Sequence, residues 1–289
     1  MLNPPDSVQV VVPNDAAVEC WAVASDGRRL GSSTGGTLEV PQGAVLEVRG
    51  RRRARAKLSW LTEVNVPVVS VDVRRSVLTP FELMAAASLP HLAVFTAAGD
   101  AVDVYVLEAI ARAGNLAVLQ LEAPALRAGD LRPLWSATRL RQVRLDVPNL
   151  PVSEVVDVLG DRKLTAFGLT APRVTQHAFD QIVSRWPLRE LSVALERVDR
   201  ATLRLAGRLS CLAHLALDGL RVSLGEFDVT ALVARLPELR SLDLTEDGAQ
   251  LSPDLLVGGY WLRPGIRVNG LAMDEQATAR FIGRWRRPR

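Results

Sequence analysis

Leu116-Ala117-Val118-Leu119-Gln120-Leu121 and Leu140-Arg141-Gln142-Val143-Arg144-Leu145 are the stretches that decide how this chain folds. Each carries apolar residues at offsets 0, 3 and 5, and the second begins 24 residues after the first. The same spacing runs upstream through Leu92-Phe95-Ala97 to Val68-Val71-Val73. Downstream it runs through Leu164-Phe167-Leu169, Leu188-Leu191-Val193 and Leu212-Leu215-Leu217. A last copy, Leu239-Leu242-Leu244, follows after 27 residues. All 24 sites are apolar; with 48% hydrophobic residues, chance gives roughly 10⁻⁸ before allowing for the choice of register. A second pair of columns agrees. Offset 10 holds Leu78, Val102, Leu126, Leu150, Val174, Val198 and Val222; offset 15 holds Leu83, Leu107, Leu131, Val155, Phe179, Leu203 and Phe227.

Alternation at offsets 3 and 5 is the period-2 signature of a short strand with one face buried. The stretch near offsets 13 to 20 returns as a short helix. Ser153 to Gly160 shows it, with a serine cap, an apolar face and a closing glycine. Thr175 to Trp186 and Asp199 to Leu209 read the same way. One strand and one return helix cannot bury their own apolar faces, so neighbouring units must stack into a parallel sheet.

The pattern Leu-x-x-Leu-x-Leu with a further apolar residue at offset 10 resembles the leucine-rich-repeat family of bacterial type, over about residues 66 to 270. The resemblance implies an α/β solenoid: a curved parallel sheet of about eight strands with short convex helices. The pattern departs from the family at offset 8, where an Asn or Cys normally bonds the turn. Here that place holds Ser76, Asp100, Pro124, Pro148, Pro172, Glu196, Leu220 and Asp247, and the prolines have no N–H to offer.

Residues 1–57 differ in character. Runs at Val8–Val12, Ala17–Ala24, Gly36–Val40 and Ala44–Val48 are separated by Pro13-Asn14-Asp15, Asp26-Gly27 and Pro41-Gln42-Gly43. This turn chemistry predicts a small antiparallel β domain, a cap or a binding module. The order of Val8-x-Val10-x-x-Pro13, Asp26-Gly27, Leu30-Gly31-Ser32-Ser33 and Val40-Pro41-x-Gly43 resembles a PEGA-type or related small β-sandwich. Gly31-Ser32-Ser33-Thr34-Gly35-Gly36 lacks the lysine of a phosphate loop and reads as a hairpin turn. The solenoid is assigned to 58–270. Residues 271–289 are read as a capping helix over Asp274–Trp285 and a basic tail of Arg284, Arg286, Arg287 and Arg289.

The formal charge is +3, carried almost wholly by arginine, Lys57 and Lys163 being the only lysines. Cys20 and Cys211 lie far apart in apolar runs and read as small buried hydrophobes in a reducing compartment. The N-terminus has no basic and apolar leader, and no apolar stretch approaches the ~20 residues of a membrane span, so the expectation is a cytoplasmic, bacterial protein.

Chemistry is thinly supplied. His91, His177 and His214 fall in three different units, no Cys pair accompanies them, and no nucleotide, hydrolase or zinc-protease motif occurs. The expectation is no enzyme, no cofactor and no metal. Two surfaces remain. Offsets 2, 4 and 6 should project from the sheet, which makes Val94, Val118, Gln120, Glu122, Arg144, Asp146, Glu190 and His214 candidates for binding a partner protein on the concave face. The alternative is nucleic acid or another anionic surface, held by the run Arg49, Arg51, Arg52, Arg53, Arg55 and Lys57 with the C-terminal tail. The function expected first is a scaffold, adaptor or recognition subunit.

Overall fold

The computed structural model describes residues 7–250, 266–269 and 271–272. The chain divides into two compact units, Met1–Arg162 and Lys163–Arg289. Both are α/β, with a largely parallel sheet and few helices.

The first unit opens with strands β1 (Ser7–Val12), β2 (Val18–Val23), β3 (Arg29–Ser33), β4 (Gly36–Pro41) and β5 (Val45–Gly50). β1 pairs antiparallel with β4, while β2 pairs antiparallel with both β3 and β5. Val10, Val12, Leu38 and Val40 of one sheet, and Val18, Cys20, Ala22, Leu46 and Val48 of the other, are buried. The hairpin at Asp26-Gly27 joins β2 to β3, with Gly27 at φ 84°. The segment after Gly31 is not a hairpin: it connects β3 and β4, which lie in different sheets, and Ser33 Oγ closes its turn on the Gly35 carbonyl at 2.9 Å.

β5 then turns parallel. It pairs with β6 (Val68–Asp72), followed by α1 (Pro80–Ala87), β7 (Val94–Ala98), α2 (Val104–Arg112), β8 (Val118–Glu122), β9 (Gln142–Asp146) and α3 (Val152–Leu159). From β6 to β9 each strand pairs parallel with the next, in chain order. The repeat sets the register: Phe95 faces Leu119 and Leu119 faces Val143, each residue paired with its equivalent 24 positions on. These three are fully buried. Burying each such side chain is worth ~1.5–3 kcal/mol, which fixes the register because a one-residue slip would turn the whole set to water.

The return segments follow their caps. Thr79 and Asp103 accept the backbone N–H of Glu82 and Val106, opening α1 and α2. Two details depart from the sequence reading. Pro151 rather than Ser153 holds the N-cap of α3, so Ser153 lies inside the helix. The third unit returns as a single 3-10 turn, Arg132–Ser136, because Gly129 at φ 95° and Pro133 leave no run long enough for an α-helix.

The second unit contains β10 (Ala166–Val174), α4 (Gln176–Arg185), β11 (Glu190–Leu195), β12 (Val198–Asp199), α5 (Arg200–Ala206), β13 (His214–Gly219), β14 (Val222–Ser223), α6 (Glu226–Arg235), β15 (Ser241–Glu246), β16 (Ala249–Gln250), β17 (Arg267–Val268) and β18 (Leu271–Ala272). β10, β11, β13, β15 and β17 pair parallel in that order. Thr175 and Asp199 cap α4 and α5 as expected.

All 24 offset-0, -3 and -5 residues are buried. Offset 15 fails once: Phe227 is 83% exposed, and Val229, Leu232, Val233 and Leu236 fill the core instead. The cause is the longer, 27-residue unit that begins at Leu212, which shifts the phase of α6. The two cysteines also part company. Cys20 is buried, and burial pushes its thiol pKa up to about 12, whereas Cys211, at the turn before Leu212, is exposed. The helix expected over 274–285 and the arginine tail lie outside the described residues. No helix among the described residues is long and apolar enough to cross a membrane.

Candidate functional site

Registration of β6 to β9 arranges the outward residues of the first unit in rows. Ser70, Val94, Val118 and Gln142 make one row; Asp72, Thr96, Gln120 and Arg144 the next; Ala98, Glu122 and Asp146 a third. Six sequence candidates, Val94, Val118, Gln120, Glu122, Arg144 and Asp146, therefore lie side by side. Val94, Val118, Gln120 and Asp146 are half-buried; Glu122 and Arg144 are exposed. Not every outward position is open: Thr96 is 4% exposed, and Ala166, Gly168 and Ala194 in the second unit are also buried.

Arg74, just past β6, organises this face. Its Nε and Nη2 grip Asp72 at 3.1 and 2.9 Å, and its Nη1 donates to Gln120 Oε1 at 3.2 Å. That bridge crosses β7, in the register that covers Thr96. Burial opposes the charge on Asp72, but the hydrogen bonds and charge of Arg74, with help from Arg49, hold its carboxyl below the ordinary range. The same bond raises the Arg74 pKa.

The face continues onto β5 and β2, since Arg49 registers with Asp72, and Glu47 registers with both Ser70 and Trp21. The Trp21 ring lies under Arg29 at 4.3 Å and Arg49 at 5.3 Å, and Arg29 also meets Glu47 at 3.8 Å. The repeat places Arg74 on this face, at offset 6, though not among the candidate binding residues; Trp21 and Arg29 are members that the sequence reading missed. The strand alternation of β2 carried the signal, but the strand partners that bring them together are separated by turns and change sense at β5.

Glu190 and His214 belong to the second unit, where they face each other across β11 and β13. There a cleft of about 600 Å³ is lined by Ser192, Ala194, Ala216, Arg173, Asp218 and Asp247. Arg173 ties Asp218 at 3.3 Å to Asp247 at 2.8 Å, and Asp218 also accepts Thr245 Oγ1 at 2.6 Å and the Gly248 N–H at 2.8 Å. Arg173 thus ties two of the cleft's three carboxylates, and the third, Asp243, accepts the Ser241 hydroxyl at 3.2 Å.

Of the basic run, Arg49 stands on the sheet face and the rest forms an ordered loop. Arg51 N bonds Ala17 O at 2.9 Å, Arg53 N bonds Arg75 O at 2.7 Å, and Lys57 pairs with Asp15. Gly50 precedes it because a Cβ there would stand 1.9 Å from Ser76 Oγ, whose hydroxyl donates to the Arg51 carbonyl.

His91, His177 and His214 are all exposed. No group of three or more His, Cys, Asp or Glu among the described residues could hold a metal ion, and no described buried side-chain nitrogen or oxygen lacks a hydrogen-bond partner.

No family model matches the chain, and no curated protein matches it. Among solved structures it is similar to a Bacteroides fragilis protein from a structural genomics consortium, at 12% identity and a TM-score of 0.40. The match covers 75% of this chain and 60% of that one, so the chain spans less than two thirds of the length of the protein it matches.

Proposed function

We propose that the chain is a leucine-rich-repeat-type solenoid and a non-catalytic adaptor or scaffold of the bacterial cytoplasm that docks a partner protein on the outward sheet face of its first unit. The observation that carries this reading is the row structure of β6 to β9. Val94 and Val118 pair in the first row, and Gln120, Glu122, Arg144 and Asp146 lie beside them in the next two, on a backbone fixed by ladder hydrogen bonds. An apolar pair next to mixed-charge and polar groups supplies the side-chain types that protein interfaces use. The fold reading rests on the 24-residue register and the buried columns at offsets 0, 3 and 5. A free exposed thiol at Cys211 suits a reducing compartment.

The test is capture of a partner from the native host by the intact chain, followed by titration of the purified pair. Arg144→Ala is expected to weaken binding about ten-fold, in line with arginine as a hot-spot residue, and Val118→Arg to abolish it. Unchanged affinity in both variants removes this face from consideration.

A further inference from the structure

A second surface lies where the arginine loop meets the segment that leads into α1. The loop is pinned on both sides. Arg53 N reaches Arg75 O, Val77 N reaches Ala54 O at 2.8 Å, Ala56 N reaches Val77 O at 3.1 Å, and Arg55 forms a parallel bridge with Val77. Arg51, Arg52, Arg53 and Arg55 are thereby joined by Arg75, which is 20 residues from Arg55 in sequence. All five are arginines, and none pairs with a carboxylate among the described residues. Neighbouring acids are occupied elsewhere. Asp15 is held by Lys57, Asp72 by Arg74, Glu82 by the N–H groups of Leu58 and Ser59, and Asp103 by the Val106 N–H; Asp100 is exposed.

Four residues past Val77, Phe81 is the second residue of α1; one unit on, Tyr105 is the second residue of α2, which packs against α1. Their exposures are 68% and 60%, and neither ring packs on another. The same offset in the later units holds Gly129, Ser153, His177, Ala201 and Gly225. Exposed aromatic rings at this position are thus confined to the two units beside the unpaired arginines.

We propose that this patch binds single-stranded nucleic acid, with phosphates on Arg51, Arg52, Arg53, Arg55 and Arg75 and bases stacked on Phe81 and Tyr105. Clustered guanidiniums without counter-charge match a phosphate chain, and free ring faces match unpaired bases, which a duplex hides. An acidic protein segment would use the arginines but has no equivalent claim on two flat, uncovered rings.

The experiment is fluorescence anisotropy of the full chain with a labelled dT oligonucleotide of about 20 nucleotides at low and moderate salt, with a duplex and a polyglutamate peptide as the other probes. The expected result is binding of dT that falls steeply with salt. Changing Arg52, Arg53, Arg55 and Arg75 to Gln is expected to abolish dT binding. The double variant Phe81→Leu with Tyr105→Leu keeps apolar bulk but loses the rings, and should weaken dT about ten-fold or more while leaving polyglutamate unchanged. Arg144→Ala should bind dT as the unaltered chain does, so failure here is separable from failure of the sheet-face reading. Absence of dT binding at low salt, full affinity in the leucine double variant, or tighter binding of polyglutamate or duplex than of dT each overturns the proposal.

Discussion

Arg162 offers the sharpest test of how the first unit is held together. Its guanidinium donates to five backbone carbonyls at two helix ends: Val158 at 2.6 Å and Leu159 at 2.5 Å in α3, and Leu134 at 2.7 Å, Trp135 at 3.0 Å and Ala137 at 3.2 Å at the neighbouring 3-10 turn. A helix C-terminus leaves such acceptors short of partners, although the Leu134 and Ala137 carbonyls also accept the N–H groups of Ala137 and Leu140. Four of the five belong to buried residues, and burial lowers the Arg162 pKa, so the group works in a partly dry setting. Hydrogen bonds to a charged group contribute ~1.5–3 kcal/mol each, but five on one side chain are not additive, and water would reach the exposed end at Trp135. Counting the equivalent of two such bonds gives about 3–6 kcal/mol for Arg162→Met, or a Tm lower by roughly 10 °C in a domain of this size. Arg162→Lys keeps the charge but has no planar fork, and should recover less than half of the loss. The assay is urea unfolding followed by circular dichroism, with exposed Lys163→Met as the comparator. Equal midpoints for Arg162→Met and Lys163→Met would refute the reasoning.

Three further outcomes follow from the geometry. Leu119→Asp puts an unpaired carboxylate among fully buried neighbours and should cost several kcal/mol, whereas Gln120→Asp changes a half-buried outward residue and should stay within about 0.5 kcal/mol; similar melting temperatures would mean that the register is wrong by one residue. At pH 8 a thiol reagent should label one cysteine rapidly in the native chain, Cys211, and both in denaturant, because Cys20 is buried with its pKa near 12; two fast native thiols would contradict that burial. The Asp72 carboxyl is lowered in the folded state, so its contribution is present above the unfolded value of 3.8 and is lost as pH falls through the folded one. Since Arg74 is 44% exposed, that contribution is under about 1 kcal/mol, and Asp72→Asn should narrow the stability difference between pH 7 and pH 3 by no more than this.

The sequence was most informative where periodicity is enforced by burial. Leu119 and Val143 had to be neighbours because the repeat leaves each half of a core, and a 24-residue step admits only one register. Helices α4 and α5 were readable from Thr175 and Asp199 because a cap is a local event. The failures share a different origin. Phe227 sits on the expected column, but three extra residues elsewhere in its unit rotate the helix, and the column cannot show that. Trp21, Arg29 and Arg75 were invisible as partners because their meetings depend on which strands and loops pair and in which sense. For the candidate face, Val94, Val118, Gln120 and Arg144 could be placed together from the repeat alone, while the shielding of Thr96 depends on one long side chain crossing a strand.

β5 pairs antiparallel on one edge and parallel on the other, and this has a bearing on self-association. A stack of equivalent strands offers at its first strand an edge that any second copy could extend, head to tail, without end. Here the edge of β6 is already taken by β5, and the next strand, β2, runs the other way. What finally faces outward is β3, five residues long, irregular where it meets β2, and carrying Arg29. Such a short, irregular edge with a charged side chain is a poor template for another chain. The N-terminal strands thus work as a chain terminator for polymerisation. Removing them should produce filaments or precipitate from a protein whose individual repeats remain well formed.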